Sequence, residues 1–314
     1  MKTDRKKEFY DKLEAKGVTR RDFLKYCSAL TAAMGLSYSC VGKVAEQIEQ
    51  AAAKQRPPVI WLHFAECTGC SEAFLRTPDV GALILEVISV EYHETIMAAA
   101  GHQAEENLQN ALKKYSGKFV CVVEGAIATN YNGAYGKVAD RTFLEIARQV
   151  VPQAAATIAI GSCAAYGGVA AAKPNPGGYK GVGEALGIKP INLPGCPMNP
   201  LNLLATVVKY LNGEAIELDD LGRPNFAYGS TVHDHCPRLE HFEAERFVTE
   251  FGSKEAELGY CLYKMGCRGP ETYNNCPTAK FNDGTSFPIQ AGHPCIGCSE
   301  PDFWDTMSPF YEAS

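Results

Sequence analysis

The chain has 314 residues, 46% of them hydrophobic and 21% charged, with a formal net charge of −6. That length suits about two domains, the apolar content excludes a disordered chain, and the negative balance excludes a nucleic-acid binder working through a basic stripe. Thirteen cysteines, an odd number in so long a chain, are not the disulfide framework of a small secreted domain and favour metal or cluster binding.

In chain order, Thr19-Arg20-Arg21-Asp22-Phe23-Leu24-Lys25 is a twin-arginine motif, followed from Tyr26 to Ser39 by a modestly apolar stretch rich in Ala, Ser and Gly. This is the pattern of a Tat export signal, a route that carries folded cargo with its cofactors already inserted. The stretch is shorter than the ~20 residues that span a bilayer. Cys40 has Ser37, not a large aliphatic residue, three positions before it, which argues against lipidation. Residues 1–50 read as signal and spacer, with Val41 to Gln55 rich in Ala, Gln, Glu and Lys, and are expected to stand outside the fold.

Short apolar runs follow at residues 59–64, 87–92, 119–124, 157–160 and 190–193, separated by helical spacing at 104–115 and 141–151. Strands alternating with helices predict an α/β domain over 56–222, a doubly wound parallel sheet with helices on both faces. Ligands of such sheets collect at the carboxyl ends of the strands. Cys67 and Cys70 follow the first run, Cys163 the fourth and Cys196 the fifth, so that thiolates from three loops converge on one edge. Thiolates suit zinc or iron-sulfur; a structural zinc draws on two tight pairs, whereas one pair with two separate cysteines points to a 4Fe-4S cube. Gly69, Gly161, Gly167, Gly168 and Gly195 let the backbone bend and bring amides close to sulfur. Cys121, inside the run 119–124, reads as a small core residue.

After Leu218-Asp219-Asp220-Leu221-Gly222-Arg223-Pro224 the alternation stops. Residues 223–314 hold His233, His235, Cys236, Cys261, Cys267, Cys276, Cys295 and Cys298 among many Gly and Pro. So irregular a segment needs metal staples to hold one fold.

At these residues the chain resembles the small, electron-transferring subunit of the periplasmic nickel-iron and nickel-iron-selenium uptake hydrogenases. The resemblance runs through Glu66-Cys67-Thr68-Gly69-Cys70, Gly161-Ser162-Cys163-Ala164, Pro194-Gly195-Cys196-Pro197, Thr231-Val232-His233-Asp234-His235-Cys236-Pro237, Gly266-Cys267-Arg268-Gly269-Pro270 and Phe287-Pro288 onward to Cys295-Ile296-Gly297-Cys298. It implies a flavodoxin-like domain with a proximal 4Fe-4S cluster on Cys67, Cys70, Cys163 and Cys196. It implies a distal 4Fe-4S cluster on His233, Cys236, Cys261 and Cys267, and a medial 3Fe-4S cluster on Cys276, Cys295 and Cys298, with Pro288 at the fourth corner. His235 and His293 are left to surface or hydrogen-bonding roles. Glycine at 69 and 168, where oxygen-tolerant members carry extra cysteines, implies the oxygen-sensitive type.

By the same resemblance no catalytic residue is expected in this chain. Dihydrogen would be oxidised at a nickel-iron centre on a large subunit, and this chain would pass electrons to a periplasmic acceptor such as a multihaem cytochrome c, after export by the Tat translocase. The final residues, Ser308 to Ser314, carry no apolar helix, which implies a soluble heterodimer without a C-terminal anchor. Glu66 either relays protons at the subunit interface or is a hydrogen-bonded buried carboxylate. A flavin-binding reading needs a phosphate loop rich in Ser, Thr and Gly after the first run, where Glu66-Cys67-Thr68-Gly69-Cys70 stands instead.

Overall fold

The computed structural model describes residues 2–54, 56–76 and 85–312. Its centre is a five-stranded parallel sheet of Pro58–His63, Ser89–His93, Val120–Glu124, Ala156–Ile160 and Ile191–Leu193. In space the strands lie in the order second, first, third, fourth, fifth, the flavodoxin-like winding, which reverses beside the first strand and opens a crevice there. The alternation of side chains sets the layers. Val59, Trp61, Val120, Val122, Ile158 and Ile160 face one side, while Ile60, Leu62, Cys121, Val123 and Ala159 face the other. Runs apolar on both faces are what a sheet covered on both sides requires. Cys121 is fully enclosed there, the structural part expected of it.

Helices His102–Tyr115 and Phe143–Val150 cover the second face through Leu108, Leu112, Ile146 and Val150. Pro200–Asn212 covers the first face, with Leu201, Leu204 and Val208 buried. Two expected boundaries move for local reasons. Arg141 and Thr142 pair with Lys137 and Val138 in a small hairpin, so the helix starts at Phe143 with Thr142 as its cap. The second strand begins at Ser89 because the chain at Val87 is still helical.

The expectation that Val41–Gln55 is spacer outside the fold is corrected. Lys2–Ala15, Arg20–Ala33 and Val41–Ala52 are helices, and Leu13, Phe23, Leu30, Val44 and Ile48 are buried in the same core as Trp61 and Leu204; Gln55 lies outside the described residues. The physical reason is amphipathicity: each helix carries an apolar stripe that the body can cover. Thr19, beside the twin arginines, is the N-cap of the second helix and forms a capping box with Asp22.

Beyond Arg223 the helices are short, and among the described residues there is no further strand. A separate small core of Val232, Val248, Leu262, Met265, Phe287 and Ile289 holds this part, with Cys236, Cys267, Cys276 and Cys295 packed against it. Among the described residues no helix is long and apolar enough to cross a membrane.

Candidate metal centres

Three loops at the carboxyl ends of the sheet bring Cys67, Cys70, Cys163 and Cys196 together. Cys67 ends the loop after the first strand, and Cys70 lies in the short helix Gly69–Leu75. Thr68 between them has φ 60°, a left-handed conformation held by its surroundings. Cys163 follows the fourth strand in the helix Gly161–Tyr166, and Cys196 follows the fifth strand. Burial, with Cys196 and Cys67 next, pushes the Cys163 thiol up to about 12. Burial and then Glu124 push the Cys70 thiol well up, with Cys163 and Cys196 adding to the shift. Gly161, at φ +77°, is required by this packing, because a Cβ there would lie 2.5 Å from Cys70 Sγ. Cys67 and Cys196 are exposed, so this edge of the molecule is open to a covering surface.

Glu124, which the sequence hides at the end of an apolar run, organises this edge. It is 2% exposed. Its Oε1 accepts from the Cys70 and Ser71 amides at 3.0 and 3.2 Å, and its Oε2 accepts from Ser71 Oγ at 2.6 Å and Trp61 Nε1 at 3.1 Å. Through these four bonds the carboxylate pins the cysteine loop to the sheet. The readable signal was an acid at the carboxyl end of a strand followed by Gly125. Beside it, His63 Nδ1 lies 3.3 Å from Glu66 Oε1, and donor atoms of His63, Glu66 and Glu124 all lie within 4.8 Å of one another. Glu66 Oε2 and His63 Nε2 have no hydrogen-bond partner among the described residues. Burial and the neighbouring His63 push the His93 imidazole, packed 4.6 Å from the His63 ring, down to about 3.

Two further groups form in the C-terminal part. Cys276, Cys295 and Cys298 line an apolar cavity of about 570 Å³ whose wall includes Pro288, Ile289 and Cys196. Burial, then Cys298 and Cys295, pushes the Cys276 thiol well up, and burial with Cys298 and Cys267 takes Cys295 up to about 12. His233, Cys236, Cys261 and Cys267 line one small cleft closed by Leu262, Tyr263 and Ile289. The Phe242 ring meets His233 edge-on at 4.6 Å. Amides already point at the sulfurs: Met198 N–H donates to Cys70, Arg238 N–H to Cys236 and Cys295 N–H to Cys267, each at 3.4 Å. His235 and His293 are exposed and stand apart from these groups, the His293 ring lying tilted beside Phe251 and Tyr311, which meet each other edge-on.

The groups are joined end to end. Cys196 and Cys298 line the same cavity, and Ser162, which accepts from Gly195 N–H at 3.0 Å, donates to the Cys298 carbonyl. Cys267 Sγ in turn accepts the Cys295 amide.

Chemically the donor sets fit iron-sulfur clusters. Grouped, buried thiols whose protons are held tightly are poor redox disulfides and good soft ligands once a metal displaces those protons. The amide donors aimed at sulfur are the means by which a protein tunes such a group.

Two family models match the chain: residues 67–210 match the NADH ubiquinone oxidoreductase 20 kDa subunit, and residues 228–311 match the C-terminal part of the NiFe/NiFeSe hydrogenase small subunit. The periplasmic [NiFe] hydrogenase small subunit 1 of Nitratidesulfovibrio vulgaris is 54% identical over 309 residues, covering 96% of each chain. The Hydrogenase-2 small chain of Escherichia coli is 51% identical over 92% of this chain and 78% of its own length. Among solved structures, a [NiFeSe] hydrogenase chain from Desulfomicrobium baculatum superposes with a TM-score of 0.77 at 36% identity, covering 83% of this chain and 100% of that one.

Proposed function

The chain belongs to the small-subunit family of the nickel-iron hydrogenases, and from that premise we propose that its three thiol-rich groups are the stations of an electron path. The chain is the electron-transferring partner of a large subunit; dihydrogen is oxidised on that partner, and the electrons leave through this chain. In our reading Cys67, Cys70, Cys163 and Cys196 hold a proximal 4Fe-4S cluster, Cys276, Cys295 and Cys298 a medial 3Fe-4S cluster, and His233, Cys236, Cys261 and Cys267 a distal 4Fe-4S cluster. When bound, the clusters supply one-electron carriers whose potentials are set by cluster type, ligands, hydrogen bonds to sulfur and burial. The protein holds them, excludes water from them and aims amides at their sulfurs.

One observation carries the order of the stations. Cys196 of the first group lines the cavity of the second beside Cys298, with Ser162 donating to the Cys298 carbonyl, and the Cys295 amide of the second donates to Cys267 Sγ of the third. Pro288 in the wall of the middle cavity offers no fourth ligand, which favours three irons there. At the open edge Cys67 and Cys196 await the large subunit, and Glu66, with one unpartnered oxygen, is placed to pass a proton across that boundary. We assign residues 1–50 to an export leader that packs against the body, 56–222 to the domain of the proximal site and 223–314 to the domain of the other two. The twin-arginine motif supports export by the Tat translocase to the periplasm, and the aromatic rim of His233 supports discharge to a soluble acceptor such as a multihaem cytochrome c.

Iron, acid-labile sulfide and EPR on the purified heterodimer test the assignment. The expected result is iron and sulfide in the proportion of two cubes and one three-iron cluster, with a 3Fe-4S signal in the oxidised sample. Zinc in place of iron, or loss of no signal on replacing Cys276, would overturn it.

A further inference from the structure

The helices that precede the first strand are fastened to the part of the chain that carries the middle thiol group. Helix Arg20–Ala33 buries Phe23, Cys27, Leu30 and Ala33, and helix Val41–Ala52 buries Val44, Ile48 and Ala51, in one continuous core with Val59, Trp61, Leu201, Leu204 and Ala279. Ala279 closes the turn of helix that Cys276 begins. Polar contacts complete the seat. Asn212 Nδ2 donates to the Gln47 carbonyl at 3.1 Å, and Tyr26 OH donates to Asp283 Oδ2 at 3.4 Å. Above all, Asn275 Nδ2 donates to the Ala33 carbonyl at 2.8 Å. That carbonyl is one of the unpaired groups at a helix C-terminus, and the residue that satisfies it directly precedes Cys276. Asn275 is itself fixed by a two-way amide pair with Asn202, at 2.8 and 3.1 Å. Arg20 and Arg21 stay exposed throughout.

We propose that the leader, residues 20–52, acts in the folded precursor as an assembly template in cis: docked on the body, it holds the Asn275–Ala279 turn, and with it Cys276, in place before the medial cluster is built. The proposal rests on the reading of residues 1–50 as an export leader only for its biological sense, since the docking itself is structural. The physical basis is reciprocity. If an ordered Asn275 turn caps and stabilises the leader helix, then the docked leader stabilises the ordered turn by the same free energy. The Cys276 turn belongs to the irregular C-terminal part, where Cys276 packs on the small core and the turn is tied by the Asn275–Asn202 pair and by Asn199 Nδ2 on the Lys280 carbonyl; the docked leader adds the Ala33 contact to these supports. Once a cluster ties Cys276 to Cys295 and Cys298, the turn is held covalently and the leader is dispensable for it. The exposed arginines leave the leader readable by an export receptor while its apolar stripe is covered.

Hydrogen exchange on the full chain tests this, comparing iron-free and cluster-reconstituted protein. The variants are Leu30→Asp with Ile48→Asp, which unseat the leader, and the milder Ile48→Asp alone; amides of the strand Val120–Glu124 report whether the body stays folded. In the iron-free state, amides of residues 276–280 are expected to exchange roughly fivefold faster or more in the double variant than in the parent, the scale of one lost buried hydrogen bond. The difference is expected to vanish after reconstitution. Equal exchange of 276–280 in parent and variants with strand 120–124 still protected, or a difference that persists after reconstitution, overturns the template. If the double variant also loses protection in strand 120–124, the single variant decides by the same criterion. Replacing Arg20 and Arg21 by Lys and following export separates the two readings: continued export removes the twin-arginine assignment and leaves the exchange result intact.

Discussion

Two glycines beside the proximal thiols differ in what one added methyl group would do. At Gly168, with φ +60°, a Cβ would lie 2.5 Å from Cys163 Sγ and 2.8 Å from Cys163 Cα. The backbone atom cannot turn aside, and left-handed strain alone costs about 1–3 kcal/mol for a residue with a side chain. At Gly69 the φ is ordinary, and a Cβ would meet Cys67 Sγ at 3.0 Å and Pro197 Cβ at 3.9 Å. A small turn of one thiol relieves that contact, and the stiffer unfolded chain returns about 0.4–1 kcal/mol. Gly168→Ala is therefore expected to lower the thermal midpoint and the iron content of the purified protein, whereas Gly69→Ala keeps iron at the parental level. Equal iron in both variants would show that the Cys163 turn yields more easily than its geometry implies. On this backbone a side chain is accommodated at 69 far more readily than at 168.

At the scale of elements, the helix Phe143–Val150 shows a boundary set by side-chain chemistry. Thr142 Oγ1 accepts from the Glu145 amide at 3.2 Å, and Glu145 Oε2 accepts from the Thr142 amide at 2.7 Å. Thr142→Ala removes the first bond and is expected to cost about 1 kcal/mol, within a range of about 0.5–2, with iron content unchanged because none of the candidate ligands lies on this helix. Denaturant unfolding with iron analysis on the same sample checks both halves. This element also marks the limit of what was legible beforehand. The five strands were readable because a doubly covered sheet demands short runs of apolar residues, and the convergence of the cysteines that follow three of those runs was readable from their places at the strand ends. Glu124 was visible as an acid at a strand end, but its role was not, since its partners Trp61, Cys70 and Ser71 come together only in three dimensions. Nor was the docking of Phe23, Leu30 and Ile48, whose spacing gains meaning only from the surface that covers them. Gly161 and Gly168 were visible as glycines, but the need for a positive φ at each was not.

Across the whole molecule, the spacing of the first two thiol groups depends on a clasp at the point where the strand and helix alternation ends. Arg223, 5% exposed, binds Asp219 Oδ2 through Nε at 2.7 Å and Glu300 Oε1 through Nη1 at 3.0 Å, and Nη1 also reaches the Ser299 carbonyl at 3.4 Å. Its guanidinium lies 5.7 Å from the Tyr228 ring and 5.5 Å from the Tyr273 ring, and Tyr228 OH donates to the Pro194 carbonyl at 2.8 Å. Pro194 leads into Cys196, while Ser299 and Glu300 follow Cys298. One planar cation thus ties the flanks of two sites together, a task that needs the fork and the stacking face of arginine. Arg223→Met leaves Asp219 and Glu300 without their cation, and loss of one partner from a buried pair costs about 3–5 kcal/mol. Arg223→Lys keeps the charge but loses the second bond and the stacking, so the chain is expected to fold with a looser Cys196–Cys298 junction. Freeze-quench EPR of the heterodimer after mixing with dihydrogen separates this from a merely structural effect. In Arg223→Lys the proximal signal should change at the parental rate while the medial signal lags behind it. If both follow the parental time course, the junction is set by Ser162 instead, and the arginine serves stability alone.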